Sequence, residues 1–194
     1  MHVFIVYAHP SRDSFTWHAK NAFLSGLEAA GHSYTVSDLY AMDFKTDMSE
    51  AEYLREAHYR AEEAVPADVT EEQRKMNESD AIAFIYPVFW TDAPAKLVGW
   101  FDRVWTYGFA YGERTMKKLE KGIVMCVTGH SIERLTELGC LNAMETVMLE
   151  DRLCDRVKEK EMIVLDEMSR EKAEARRENW DRHLKTAFRI GEGM

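Results

Sequence analysis

With 194 residues the chain is long enough for one domain with a full core, whereas two domains would each be small, so we predict a single domain over residues 1–194. The formal net charge of −9 makes nucleic acid and anionic membrane surfaces poor partners, because both would repel the chain. No apolar run approaches the ~20 residues of a membrane span, and no basic-then-apolar leader precedes the first strand, so we expect a cytoplasmic protein without membrane insertion.

Short apolar runs and helical stretches alternate along the chain. The predicted strands are 3–8, 34–39, 81–86, 123–128 and 162–165. The predicted helices are 14–30 closed by Gly31, a pair within 50–77 broken around Pro66, 95–105, 137–155 and 170–188. Such alternation, with strands apolar on both faces, indicates an α/β protein of three layers whose parallel sheet lies between helices. Five strands joined by right-handed crossovers favour the strand order 2-1-3-4-5.

The three cysteines, Cys126, Cys140 and Cys154, are odd in number and widely spaced. This pattern fits neither a disulfide framework nor a C-x-x-C metal or redox pair. We therefore expect reduced cysteines, mostly buried, and no metal site.

Ligands of such sheets bind beyond the carboxyl ends of the strands, where the strand order reverses. The first loop at that edge reads AHPSRDSF and offers His9, Ser11 and Ser14, with Thr16 just beyond it. It contains neither the glycine-rich dinucleotide fingerprint nor the P-loop. Free amides at the start of a helix near Ser14 suit a phosphate, but Asp13 or Ser14 can equally serve only as the helix cap.

The second loop follows strand three and is unusually aromatic. The sequence from Pro87 contains Phe89, Trp90, Trp100, Phe101, Trp105, Tyr107, Phe109 and Tyr111. Trp100, Phe101 and Val104 have the spacing of core positions on a helix. Trp90 and Tyr111 fall outside it, in loops where binding residues concentrate, and the amides of residues 88–90 can meet the edge of a heterocycle.

The third loop, VTGHSIER, follows strand four and brings Thr128, Gly129 and His130 to the same edge. A glycine there lets the backbone approach a ligand closely. His130 can be a polar ligand contact or a surface residue.

Three stretches, YAHPSRDSF, DLYAMDF and YPVFWTDAPAKLVGWFDRVWTYGFAY, resemble the flavin-dependent NAD(P)H:quinone oxidoreductases of the DT-diaphorase type, the flavodoxin-2 family. The resemblance spans most of the chain. It implies a flavodoxin-like fold, FAD as cofactor with FMN possible, NADH or NADPH as hydride donor, a quinone as acceptor and a homodimer.

The resemblance also assigns site residues. It places the flavin's phosphate and ribityl side at His9, Ser14, Phe15 and Thr16, its ring at Pro87, Val88, Phe89 and Trp90, and its pyrimidine end at Thr128, Gly129 and His130. The predicted substrate contacts are Trp90, Phe109 and Tyr111, and Tyr111 is expected to reach toward the flavin of a partner subunit.

One departure from the family makes His130 the predicted catalytic residue. A tyrosine and a histidine that larger relatives place beyond the third loop fall here at Leu135 and at Cys140 or Leu141. His130 is then the titratable group nearest in sequence to the negative charge that develops on a reduced flavin.

Two other functions stay open on sequence alone. The first is a flavin-binding regulatory subunit of a potassium efflux antiporter, which relatives of this size resemble. The second is a flavodoxin-type electron carrier, which the dense aromatic loop disfavours because a carrier needs an exposed flavin edge.

Overall fold

The sheet at the centre of the molecule is entirely parallel. The computed structural model describes residues 1–194, and its strands are β1 (His2–Tyr7), β2 (Ser33–Asp38), β3 (Ala81–Pro87), β4 (Leu119–Val127) and β5 (Val157–Leu165). They lie in the order β2-β1-β3-β4-β5, and every neighbouring pair is parallel. The predicted strand order and fold are confirmed.

Helices cover both faces of this sheet. They are α1 (Phe15–Ala29), α2 (Glu50–Ala57), α3 (Ala67–Asn77), α4 (Ala95–Val104), α5 (Ile132–Glu137), α6 (Cys140–Glu145), a π-helix (Thr146–Leu153) and α7 (Ala173–Glu192). Alternate residues of β1 enter different cores: Ile5 packs with α1 and α7, and Val6 packs with α3, α4 and the π-helix. None of the helices is both long enough and apolar enough to span a membrane.

The predicted helix 137–155 is wrong as a single element. Glu137 ends α5, and Gly139 takes a left-handed φ of 71° that interrupts the helical path before α6 begins. From Thr146 onward the helix widens to i→i+5 bonding, as in the 2.8 Å bond from the Cys154 amide to the Leu149 carbonyl. At that point the Thr146 hydroxyl donates to the Asn142 carbonyl and competes for a backbone acceptor.

The fourth and fifth strands begin earlier than their predicted starts at residues 123 and 162. In β5 the exposed Lys158, Glu159 and Glu161 interrupt the apolar pattern, because this strand lies at the edge of the sheet. Backbone pairing with β4 nevertheless extends back to Val157.

Backbone hydrogen bonds continue past the strand ends and hold the loops at the carboxyl edge in register. The Ala8 amide donates to Ile85 at 3.1 Å, Val88 to Val127 at 2.9 Å, and Thr128 to Leu165 at 3.0 Å. Four loops, those after β1, β3, β4 and β5, are therefore fixed side by side.

Candidate functional site

A cavity of about 270 Å³ opens at the carboxyl edge of the sheet. It is lined by His9, Ser11, Ser14, Phe15, Thr16, Pro87, Val127, Thr128, Gly129, Met168, Ser169, Arg170 and Arg176. The lining includes residues from all three loops that the sequence predicts at the site and from a fourth loop, after β5, that the sequence analysis does not predict. Of the predicted site residues, Val88, Phe89, Trp90, Phe109, Tyr111 and His130 do not line it.

The first wall of the cavity is the N-terminus of α1. The Ser14 hydroxyl oxygen accepts a hydrogen bond from the Trp17 amide at 3.1 Å, so the capping role considered for Ser14 is confirmed. Its O–H proton is still available to a ligand. The amides of Phe15 and Thr16 have no backbone partner, as expected at a helix start, and they carry the positive end of the helix dipole.

His9 is held as a neutral hydrogen-bond donor. Its Nδ1 accepts from the Ser11 amide at 2.9 Å, which leaves the proton of the neutral ring on Nε2. Burial lowers the pKa of His9 below its ordinary value and favours the same neutral form. The ring therefore supplies an N–H donor to this side of the cavity.

The loop after β5 and the first turn of α7 contribute two arginines, Arg170 and Arg176, that the sequence analysis did not predict. Arg176 donates to the Met168 carbonyl at 2.7 Å and lies over the Trp180 ring at 5.0 Å from its centroid. Arg170 is exposed and forms no salt bridge. A positional signal was present, because the predicted strand order places the end of β5, and therefore Arg170, beside the end of β4.

The third loop supplies backbone donors rather than a buried histidine. The amides of Gly129 and His130 have no backbone partner, whereas the Thr128 amide is bonded to Leu165. The Thr128 hydroxyl donates to the His130 carbonyl at 2.7 Å and fixes the loop. The His130 side chain is exposed and forms no hydrogen bond within the chain.

Residues 89–92 form a tight turn, here called the Trp90 turn. Phe89 and Asp92 exchange backbone hydrogen bonds of 2.8 and 3.0 Å, while Trp90 and Thr91 have φ values of 52° and 68°. Two central residues with positive φ define a turn that favours Asn-Gly, and each non-glycine residue held there costs about 1–3 kcal/mol. The Trp90 side chain is fully exposed.

The amides of this segment are mostly engaged, contrary to the expectation for residues 88–90. Val88 donates to Val127 and Phe89 to Asp92, so only the Trp90 amide is free for a ligand. Phe89 and Trp90 instead border a second cavity of about 530 Å³ beside α4.

The loop from Tyr107 to Tyr111 is fastened to α2. One carboxylate oxygen of Glu56 accepts from the Tyr111 hydroxyl and from the Tyr107 amide, both at 2.7 Å. Burial and this bond raise the pKa of Tyr111, so its hydroxyl stays protonated. Phe109 is only 6% exposed and packs in the core.

Comparison with known proteins defines the family. Residues 1–184 match the flavodoxin-2 family, described as having a flavodoxin-like fold. The chain belongs to this family, and the resemblance read from its motifs is confirmed.

Several relatives are named as quinone reductases. The chain is 45% identical to an NAD(P)H:quinone oxidoreductase of Methanothermobacter marburgensis, whose structure superposes with a TM-score of 0.90 over 98% of this chain and 96% of that one. It is 35% identical over 155 residues to ribosyldihydronicotinamide dehydrogenase (quinone) of Pongo abelii, covering 71% of this chain and 67% of that protein. It is 34% identical to NAD(P)H dehydrogenase (quinone) 1 of Cavia porcellus, covering 74% of this chain and 59% of that protein.

Proposed function

We propose that this protein is a flavin-dependent NAD(P)H:quinone oxidoreductase. The observation that carries the proposal is the 270 Å³ cavity, into which the chain gathers His9, Ser14, Phe15, Thr16, Pro87, Thr128 and Gly129 from three separate loops. Family membership and the 45% identity to an NAD(P)H:quinone oxidoreductase support the same activity.

The residues of the cavity fit the phosphate side of a flavin. A phosphate accepts hydrogen bonds only, and the wall at α1 offers donors: the amides of Phe15 and Thr16, the Thr16 hydroxyl and the Nε2–H of His9. We infer that these groups hold the phosphate, in a chain whose overall charge would otherwise repel it.

We infer FAD in preference to FMN. Arg170 and Arg176 add two guanidinium groups to a cavity that already holds donors for one phosphate, and the diphosphate of FAD has a second phosphoryl group whose oxygens can accept from them. Changing Arg170 to Gln should lower the affinity for FAD more than that for FMN. Arg177, an exposed neighbour on α7 outside the cavity, gives the control Arg177→Gln. Equal losses for both flavins in a titration of the flavin-free protein would contradict this inference.

A flavin bound here would supply the chemistry of hydride transfer from NAD(P)H to a quinone. The free amides of Gly129 and His130 are suited to stabilise negative charge at the flavin's pyrimidine end. The exposed indole of Trp90 offers a face for planar substrates. The proton that completes the hydroquinone can come from water, so no side chain is required as an acid or base, and the protein's part is binding, orientation and charge stabilisation.

Steady-state kinetics test the proposal. The purified protein should be yellow, or become so with FAD, and should oxidise NADH or NADPH with a quinone. Parallel double-reciprocal lines are expected, because NAD(P)H and the quinone occupy the same binding site one after the other. A protein that binds no flavin or reduces no quinone would overturn the proposed function, and intersecting lines would overturn the shared substrate site. None of the relatives named above is an antiporter subunit, and no feature of the structure favours that alternative.

A further inference from the structure

The Trp90 turn adopts a backbone conformation that its own residues disfavour. Trp90 and Thr91 both have positive φ, and a β-branched residue such as Thr91 is rarely found there. Glycine or asparagine would take these positions with less strain. Because local sequence does not favour the turn, contacts from elsewhere in the chain must hold it.

One such contact comes from Arg152, which lies on the π-helix. Its Nη1 is 3.3 Å from the Asp92 carboxylate oxygen Oδ1, the same oxygen that accepts the Ala93 amide at 2.7 Å. Asp92 is the last residue of the turn, so the ion pair between Arg152 and Asp92 fixes the C-terminal end of the turn.

Arg152 is itself firmly placed. Its side chain is only 12% exposed, and its guanidinium carbon lies 4.7 Å from the centroid of the buried Phe101 ring on α4. Its backbone carbonyl accepts the Trp105 indole N–H at 2.7 Å, which ties the π-helix to the end of α4. Contacts with the core therefore hold the Arg152 guanidinium in place independently of its ion pair with Asp92.

A second contact comes from the same part of the chain. The Thr91 hydroxyl lies 3.4 Å from the Cys140 sulfur at the start of α6. The segment formed by α6 and the π-helix therefore contacts both residues that follow Trp90.

We propose that Arg152, through Asp92, is a positioning residue that holds the Trp90 turn and so sets the place of the Trp90 indole at the substrate side of the site. This rests on the proposed function for the role of Trp90, but the mechanical part of the proposal does not depend on catalysis. The site then has a support on the face of the sheet opposite to α1 and α7.

Hydrogen exchange in the flavin-free protein tests the mechanical part. Arg152→Met should speed exchange in a peptide covering residues 86–94, because the two backbone hydrogen bonds between Phe89 and Asp92 should open more often once the ion pair to Asp92 is lost. Lys160→Met is the matched control: Lys160 bonds the Leu149 carbonyl and Glu150 of the same π-helix but does not touch the turn. If Arg152→Met folds poorly, Asp92→Asn keeps an acceptor for the Ala93 amide and removes only the charge.

Kinetics test the functional part. Arg152→Met and Asp92→Asn should raise KM for the quinone and for NAD(P)H by about threefold to tenfold, with a smaller change in kcat, as expected for a stacking face that is displaced. In a Trp90→Ala background the same changes should have little further effect, because the residue through which they act is gone. Arg152→Lys, which keeps the charge, should restore part of the loss.

The outcomes separate the two claims. Exchange in 86–94 that is unchanged in both Arg152→Met and Asp92→Asn, or changed equally by Lys160→Met, overturns the positioning role whatever the activity. Faster exchange with KM effects that add to that of Trp90→Ala overturns the action through Trp90. Absence of quinone reduction in the wild type overturns the proposed function. Hydrogen exchange in residues 86–94 then still tests whether Arg152 and Asp92 hold the turn.

Discussion

At the scale of single residues, the full exposure of Trp90 makes its contribution separable from folding. Trp90→Ala removes no core contact, so the free energy of unfolding should change by less than about 0.5 kcal/mol. Lost stacking of about 0.5–1.5 kcal/mol should lower kcat/KM for quinone and nicotinamide by roughly twofold to twelvefold. Tyr53→Ala, which removes another exposed aromatic ring, is the control. Unchanged kcat/KM for both substrates would remove Trp90 from the site.

The predicted catalytic role of His130 can be isolated from the amides beside it. If the side chain stabilises charge on the flavin, His130→Ala should lower the flavin's two-electron potential and slow its reduction by NAD(P)H, with little change in flavin affinity. Potential and reduction rate should be measured from pH 6 to 8. If His130→Ala keeps the wild-type potential and reduction rate across that range, the His130 side chain has no role, and the free amides of Gly129 and His130 are the groups that stabilise the charge.

A buried histidine should make the stability of the flavin-free protein fall in mild acid. His183 is 3% exposed and bonds the Asp166 carbonyl through Nε2 at 2.9 Å; burial lowers its pKa. The unfolded chain therefore binds a proton near pH 6.5 that the folded chain binds only at lower pH, so stability decreases as pH falls through that window. Urea unfolding between pH 7 and 5 should show a shallower pH dependence in His183→Gln. Equal slopes would contradict the assignment.

The sequence predicted some residues of the site and missed others, and the reason differs from residue to residue. His9, Ser14 and Thr16 could be found because they follow a clear buried strand at the ligand edge of the sheet. Arg170 and Arg176 were missed because arginines at a helix start resemble a solvated surface. The positive φ at Trp90 and Thr91 was invisible, since neither residue type signals it.

At the scale of elements, α1 and α7 approach so closely that glycine is required between them. A Cβ built on Gly191 would overlap the Phe23 carbonyl oxygen, and one on Gly26 would overlap that of Phe188. Gly191→Ala should therefore lower the free energy of unfolding, because overpacking of about 1–3 kcal/mol exceeds the ~1 kcal/mol gained in helix propensity.

The control for this change is Gly193→Ala at the end of α7. Gly193 has a negative φ, and the nearest neighbour of an added Cβ would be the Arg189 carbonyl oxygen at 3.3 Å. Chemical denaturation of both variants would decide the matter, and equal stabilities would refute the close packing. Since α7 carries Arg176, a shift of this helix should also weaken flavin binding.

Element types and order followed from sequence because apolar runs and helical periods alternate cleanly. The boundaries in the second half did not. The start of β5 was hidden by the charges of an edge strand, and the segment 137–155 was read as one helix because hydrophobic periodicity does not separate α from π bonding.

At the scale of the whole molecule, we predict a homodimer joined through α4 and the loop that leads to Tyr111. Most aromatic rings of that region are buried within one chain, but Phe89 and Trp90 are 46% and 101% exposed beside the 530 Å³ cavity on α4. Light scattering at micromolar concentration should give twice the chain mass. A fully active monomer would contradict the prediction.

The charged residues that interrupt the apolar pattern of β5 also affect how the chain behaves at high concentration, when copies can aggregate. A five-stranded sheet that does not close leaves two edges with unpaired backbone groups, and such edges can join end to end into aggregates. Along β5, Lys158, Glu159 and Glu161 project charge from the exposed edge strand. These charges oppose pairing of β5 with a strand of another copy. The residues that made β5 hard to predict from sequence therefore also protect this edge from aggregation.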